Sequence, residues 1–352
     1  MDPHEVEVVD EKTALVLSYH PTMYDLTPFG GSKNQTWLLE CIFQEVDIET
    51  GNVLSGARSL DFSSPADSTV PITGTSAVDS WDYMHINSVD KDDEGNYLVS
   101  GRHTLALYKI SGRDGSLTWQ LGGNGSNFSV PESARFGYQH DVRFVSRSGD
   151  VEVVSMFDNS AGGPDPSRDA PSRARVLRLD HGSRKAEEVQ TLRSPDRLVA
   201  RAQGSHQILG NGNRFVNWGQ AGAITEFDPE GNPIFNAPLD SGRRGAVAMS
   251  YRAYRFEWEG KPIEKPAIAA LQAGNITVYT SWNGDTSTRA WRFYGSASKG
   301  SFGAASTGSF LGEVARKSFE TSLVVPNGNY THFLARLTTP LGASLAVQRS
   351  QL

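Results

Sequence analysis

A short turn followed by a strand recurs along the whole chain at intervals of 54 to 63 residues, and few architectures accommodate such a repeat. The copies are Gly95-Asn96-Tyr97-Leu98-Val99, Gly149-Asp150-Val151-Glu152-Val153, Gly212-Asn213-Arg214-Phe215-Val216, Gly274-Asn275-Ile276-Thr277-Val278 and Gly328-Asn329-Tyr330-Thr331-His332. A looser copy at Asp10-Glu11-Lys12-Thr13-Ala14-Leu15 brings the count to six. Gly-Asn and Gly-Asp supply the positive φ of a hairpin turn, and the β-branched and aromatic residues after them suit strands. A second hairpin signal follows in several units: Val46 to Leu54, Ile110 to Trp119, and Phe227 to Phe235. Two hairpins give four strands per unit, and four-stranded sheets repeated about an axis make a propeller. The expected fold is therefore all-β, a six-bladed β-propeller. No stretch holds an amphipathic helical period over three turns.

Three stretches read as insertions or linkers: residues 55–80, rich in Ser, Asp and Pro; Ala161 to Arg175; and the Gly/Ser/Ala run 295–309. The expected organisation is blades over 1–294, a linker over 295–309, and a closing blade or small C-terminal β element over 310–352. A length of 352 residues suits two average domains, yet one closed all-β fold also absorbs it, and 35 Gly with 17 Pro fit many tight turns.

The formal charge of −7 leaves no basic footprint for nucleic acid, and no apolar run is long enough to span a membrane. Cys41 is the only cysteine, which excludes an internal disulfide and a cysteine-based zinc site. Five Asn-X-Ser/Thr sequons, at Asn34, Asn124, Asn127, Asn275 and Asn329, point to a secreted glycoprotein. Met1-Asp2-Pro3-His4 is no leader, so secretion requires that a signal segment was removed; otherwise the chain is expected in the cytoplasm.

The histidines follow the repeat. His4 stands about eight residues before Lys12 of its turn signal, His85 ten before Gly95, His140 nine before Gly149 and His206 six before Gly212. The strand before the first hairpin of a blade is the innermost, so these four imidazoles are expected to converge on a central channel. His20, His103, His181 and His332 lie outside the register and are read as ordinary polar residues. Asn87, two residues after His85, is expected on the same side of its strand, and Arg102 at the end of the next. Arg offers a planar fork of donors matched to a tetrahedral oxyanion, and Asn and His add further donors. The constellation thus reads as a sulfate or phosphate pocket. Three imidazoles also suit zinc, but an arginine among the ligands opposes a dication, so no metal is expected.

The stretches Trp81-Asp82-Tyr83-Met84-His85-Ile86-Asn87, Gly95 to Thr104, Phe136-Gly137-Tyr138-Gln139-His140-Asp141, Met156-Phe157-Asp158-Asn159, Asn217-Trp218-Gly219 and Ser281-Trp282-Asn283-Gly284 resemble the arylsulfotransferase-type propellers of fungi over nearly the whole chain. The resemblance implies movement of a sulfuryl group between phenolic compounds through a sulfated histidine, with no nucleotide donor and no cofactor. It places His140 as the nucleophile, with His85 and Arg102 beside it in catalysis. His4 and Asn87 would bind sulfate, and His206 and Trp218 are expected to contribute to substrate binding. The absence of a Gly-rich phosphate loop agrees with a nucleotide-free donor. Two departures touch specificity: the 55–80 insertion lacks a further Asp-His pair expected of the family, and Ser-Trp-Asn-Gly continues with Asp285 where relatives often carry Glu. One alternative is a secondary-metabolism enzyme that orients a polyene or quinone methide for cyclisation or cycloaddition, as a hetero-Diels-Alderase-type pericyclase does. A noncatalytic binding propeller is a second.

Overall fold

Asp10 and Glu11, with φ of 51° and 57°, close the hairpin between β1 (Asp2–Val9) and β2 (Thr13–Met23). β3 (Trp37–Asp47) and β4 (Val53–Arg58) complete the first sheet, in the computed structural model that describes residues 2–240, 248–298, 308–339 and 347–351. Gly95 lies in the hairpin between β5 (Ile86–Lys91) and β6 (Tyr97–Gly101), which β7 (Ala106–Ile110) and β8 (Leu117–Gly122) extend. Gly149 joins β9 (His140–Ser148) to β10 (Val151–Asp158), followed by β11 (Arg173–Asp180) and β12 (Lys185–Arg193). Gly212 joins β13 (Ser205–Ile208) to β14 (Arg214–Asn217), followed by β15 (Ala223–Phe227) and β16 (Pro233–Pro238). Each set is one four-stranded antiparallel sheet with its strands in chain order. Gly95, Gly149 and Gly212 have φ of 84°, 56° and 88°, the left-handed region that glycine enters without a Cβ penalty.

Both faces of the middle strands are buried, which is why they read as continuous apolar runs rather than as alternation. Tyr97 and Val99 of β6 join Leu15, Leu17 and Phe43 in a core between the first and second sheets. Leu98, on the opposite face, joins Val142, Val154 and Met156 of the third sheet. Phe157 turns the other way from Met156 and packs with Val216, Trp218 and Phe227 of the fourth. Successive sheets therefore stack face to face, each strand alternating between two interfaces.

The chain divides into two compact units, Met1–Arg255 and Phe256–Leu352. The second departs from the repeat. Its strands are β17 (Ala267–Ala273), β18 (Asn275–Ser281), β19 (Ala290–Ser296), β20 (Ser309–Ala315), β21 (Glu320–Val325), β22 (His332–Thr338) and β23 (Val347–Gln351). Gly274 closes the β17–β18 hairpin, but β21 returns to the free edge of β18, making one sheet in the order β17-β18-β21. The other runs β20-β19-β22-β23. Gly328 thus connects strands of different sheets, and the expectation that it closes a blade's first hairpin is corrected. The reason is long-range pairing, Ile276 to Ser281 against Val325 to Glu320, which a turn signal does not encode. Of the expected linker, Gly295 and Ser296 belong to β19, Ser309 opens β20, and 299–307 lie outside the described residues.

Among the described residues the only α-helix is the four-residue turn Ser59–Phe62 in the 55–80 insertion, and no helix is long and apolar enough to cross a membrane. The five sequon asparagines are all exposed.

Candidate active site

Chain order places the first strand of each sheet beside the next: β1 packs on β5, β5 on β9, and β9 on β13. The segment Ser250–Arg255 lies between β13 and β1. Ser205 and Gln207 hydrogen-bond to Ala253 and Arg255, while Arg252 reaches Glu5. At one end of these strands is a cavity of about 550 Å³ lined by His4, His85, Arg102, His140, Gln203 and Tyr251, with Pro3 and Ala202 as apolar wall.

The tautomer of His140 follows from its neighbours. Asn159 donates from Nδ2 to the carbonyls of Ala200 and Gln203, 2.9 Å each, so its Oδ1 faces His140 Nδ1 at 2.7 Å and accepts from it. The proton therefore sits on Nδ1, and Nε2 keeps its lone pair, which accepts the Gln203 N–H at 3.2 Å. Complete burial, aided by the Arg102 charge, holds the pKa of this imidazole well below the ordinary histidine value.

His85 and His4 are held differently. His85 Nδ1 lies 2.5 Å from Asp82 Oδ2, and His4 Nδ1 pairs with Asp2 Oδ1. A carboxylate on Nδ1 fixes the tautomer and the orientation of the ring. The rings of His4 and His85 meet edge to face at 4.8 Å. Burial and the neighbouring His85 lower the pKa of His4 despite Asp2.

Arg102 lines the cavity without a carboxylate among its hydrogen-bond partners. Its Nη2 donates to the carbonyls of Arg201 and Gly162 at 3.0 and 3.3 Å, and its Nη1 to His103 Nε2 at 2.7 Å. His103 Nδ1 in turn donates to the Asp82 carbonyl at 2.6 Å, which fixes the neutral tautomer that can accept from an arginine. Burial drives the His103 pKa down to about 4, in agreement with that state. The guanidinium stacks over Tyr138, 5.4 Å from the ring centroid. Three of its five N–H donors are engaged in this way.

Asp82, His85 and His103 each place one potential metal-ligand atom within 4.8 Å of the others. The chemistry of the set opposes a dication: His103 Nε2 receives the guanidinium at 2.7 Å, and His85 Nδ1 is held by Asp82.

The backbone around the cavity is unusual. His85, Tyr138, Asp141 and Gln203 hold φ of 54°, 54°, 51° and 67° without being glycine. Such residues persist where surrounding bonds over-determine them, commonly at functional sites. Here the His85 carbonyl accepts from Arg102 N, and the Gln203 carbonyl from Asn159.

Three expected site residues lie off the cavity. Asn87 is fully buried and gives its Nδ2 to the Gln139 carbonyl at 2.7 Å. Positive φ at His85 and a register shift between Ile86 and Ser88 interrupt the alternation that would have kept it beside His85. His206 is buried with its ring against the backbone of Met156 and Arg175 in the third sheet. Its offset of six residues from Gly212 is out of step; the residue nine before that glycine is Gln203, which does line the cavity. Trp218 is core: fully buried, its Nε1 donating to Thr225 Oγ1 at 2.8 Å and its ring edge-on to Phe157.

Sequence reasoning missed His103, whose role depends on a carbonyl 21 residues away, and Asn159, which it quoted without a role. It also missed Tyr251, for which no local signal exists. Asp141 faces away from the imidazole of His140: it takes the His206 N–H at 2.8 Å and pairs with Arg143 at 2.9 Å.

A protein of unknown function from Bacteroides caccae is similar in structure at 11% identity and TM-score 0.35, with 77% of this chain and 66% of that one covered. The chain thus spans just under two thirds of that protein's length. Virginiamycin B lyase from Staphylococcus aureus is similar at 6% identity and TM-score 0.30, covering 97% and 89%. Neither likeness is strong enough to carry an argument about the site. No curated protein matches the chain in sequence. The family described as Arylsulfotransferase (ASST) matches residues 1–239, a span that carries five of the six polar or aromatic residues facing the cavity, and the chain belongs to that family.

Proposed function

We propose that the protein moves a sulfuryl group between phenolic compounds by two displacements at His140, without a nucleotide donor. The observation that carries this reading is one cavity holding a neutral imidazole, whose unprotonated Nε2 meets the Gln203 N–H in a contact that the incoming sulfur would displace, and an arginine bonded to no carboxylate among the described residues. In the first displacement Nε2 of His140 bonds to sulfur as the bond from sulfur to the aryl oxygen breaks. The electron pair stays on that oxygen, which takes a proton from His85, poised on Asp82. In the second, an acceptor phenol returns its proton to His85 as its oxygen bonds to sulfur, and the S–N pair goes back to Nε2. Splitting the transfer replaces one hard displacement by two easier ones. Arg102 would stabilise the sulfuryl oxygens throughout, the electrostatic contribution that usually dominates.

Incubation with a chromogenic aryl sulfate, followed by intact-mass measurement, tests the intermediate directly. The wild type should gain one sulfuryl group and His140→Ala none; a wild type that stays unmodified during turnover would exclude the covalent route.

A second reading, in which the site orients a reactive polyene or quinone methide by hydrogen bonds alone, is favoured by the Gln203 N–H resting on His140 Nε2. A positioning catalyst needs no free lone pair. Such a catalyst retains rate in His140→Gln, whereas the double displacement does not.

A further inference from the structure

We propose that the Tyr251 hydroxyl is the hydrogen-bond donor to the phenolic oxygen of the substrate, a catalytic role that rests on the sulfuryl-transfer reading. Tyr251 belongs to no strand, yet its position is held at several points. Its carbonyl accepts from Gly204 N at 3.0 Å, and the Arg252 guanidinium, anchored on Glu5, lies over its ring at 5.5 Å. The ring stands edge-on to His4 at 5.6 Å and to His140 at 6.3 Å, between the nucleophile and one of the carboxylate-held imidazoles. Tyr251 lines the cavity, and its hydroxyl is buried with no hydrogen-bond partner among the described residues.

A buried hydroxyl without a partner is unfavourable unless a ligand meets it. Tyr19 provides the contrast: its ring stacks on His85 in the same neighbourhood, but its hydroxyl is already taken by the Ile86 carbonyl. Burial pushes the Tyr251 pKa above the ordinary phenol value, so the group is a donor at neutral pH. The atom that needs a donor there is the one on which charge develops. As the sulfur–oxygen bond breaks and its electron pair moves onto the phenolic oxygen, the Tyr251 O–H bond points at that oxygen and stays intact. The proton that finally neutralises the oxygen comes from His85.

Tyr251→Phe keeps the ring and its packing and removes only the donor, so it is the variant to use, with thermal unfolding to verify the fold. The measurement is kcat/KM across aryl sulfates whose leaving phenols run from strongly to weakly acidic. Loss should grow along the series, from under about threefold for the most acidic phenol to roughly 10- to 100-fold for the least. A uniform loss, or none, in a variant that still transfers would overturn the role of Tyr251 and leave the sulfuryl-transfer reading standing.

If the wild type itself transfers nothing, that reading fails, and binding alone decides about Tyr251. The probes are phenol and toluene, alike except for the hydroxyl, titrated by calorimetry into both proteins. A phenol-over-toluene preference about five- to tenfold larger in the wild type supports the donor. An equal preference overturns it.

Discussion

His140 and His85 share one cavity, and what holds Nδ1 sets them to different tasks. The Asn159 amide at 2.7 Å fixes the proton of His140 on Nδ1, whereas the Asp82 carboxylate at 2.5 Å holds Nδ1 of His85. Asp82→Asn should therefore depress turnover, with little effect on sulfate affinity. Arg102→Ala should lower turnover and sulfate affinity together. A ligand at about a hundred times its Kd adds roughly 2.7 kcal/mol to stability, so sulfate should protect the wild type against thermal unfolding more than Arg102→Ala at equal sulfate. Subtracting the variant removes the general stabilising action of sulfate on surfaces. Equal protection, or stoichiometric zinc binding by the wild type, would refute the anion site. His206 gives a pH effect of its own. Burial lowers its pKa to about 4, so below pH 6.5 the unfolded chain holds a proton that the native state lacks. Stability should fall as pH drops from 6.5 towards 4, by up to about 1.4 kcal/mol per pH unit from this residue. His206→Leu, followed by denaturant unfolding at several pH values, should flatten that slope. The same residue marks a limit of sequence reading. Its spacing was close enough to suggest the register and wrong by three positions, and Gln203 at the right spacing has no side-chain chemistry to attract notice.

At the scale of elements, hairpins were legible because their turns need a positive φ that glycine supplies, and Gly95, Gly149 and Gly212 fell where β5–β6, β9–β10 and β13–β14 turn. The β18–β21 pairing was not, because it depends on which edge a distant strand finds free. Asn87 was misplaced for a related reason: a single bulge in β5 changes which way every later side chain points. Two substitutions test the elements that carry the site. Gly162, at φ 92°, has no room for a Cβ, which would sit 2.0 Å from the Arg201 carbonyl and 2.8 Å from Arg102 Nη2. Gly162→Ala should cost about 1–3 kcal/mol and lower affinity for sulfate, because it displaces both carbonyls that hold the guanidinium. Trp218→Ala, which empties the interface between the third and fourth sheets, should cost about 3–5 kcal/mol, read as a drop in Tm. Sulfate affinity in the surviving native fraction should be unchanged.

At the scale of the molecule, every residue lining the cavity lies within Met1–Arg255, and Phe256–Leu352 has its own core around Trp291, Phe293 and Phe333. A chain ending at Arg255 should keep the sulfate protection of the full protein; its loss would show that the second unit is required to form the site. The length of the first unit has another consequence. Glu5 is bonded to Arg252 across 247 residues, and together with Arg143 and Asp141 they form a buried network joining β1, β9 and the end of the unit. A ribosome that has delivered β1 through β12 has made His140, its orienting amide and Arg102, but neither Gln203, which covers Nε2, nor Tyr251 opposite. Until residue 252 emerges, Glu5 waits without one of its two cations. The cavity is thus completed late in synthesis, and nascent chains stalled before that point should carry the early sheets without the finished cavity.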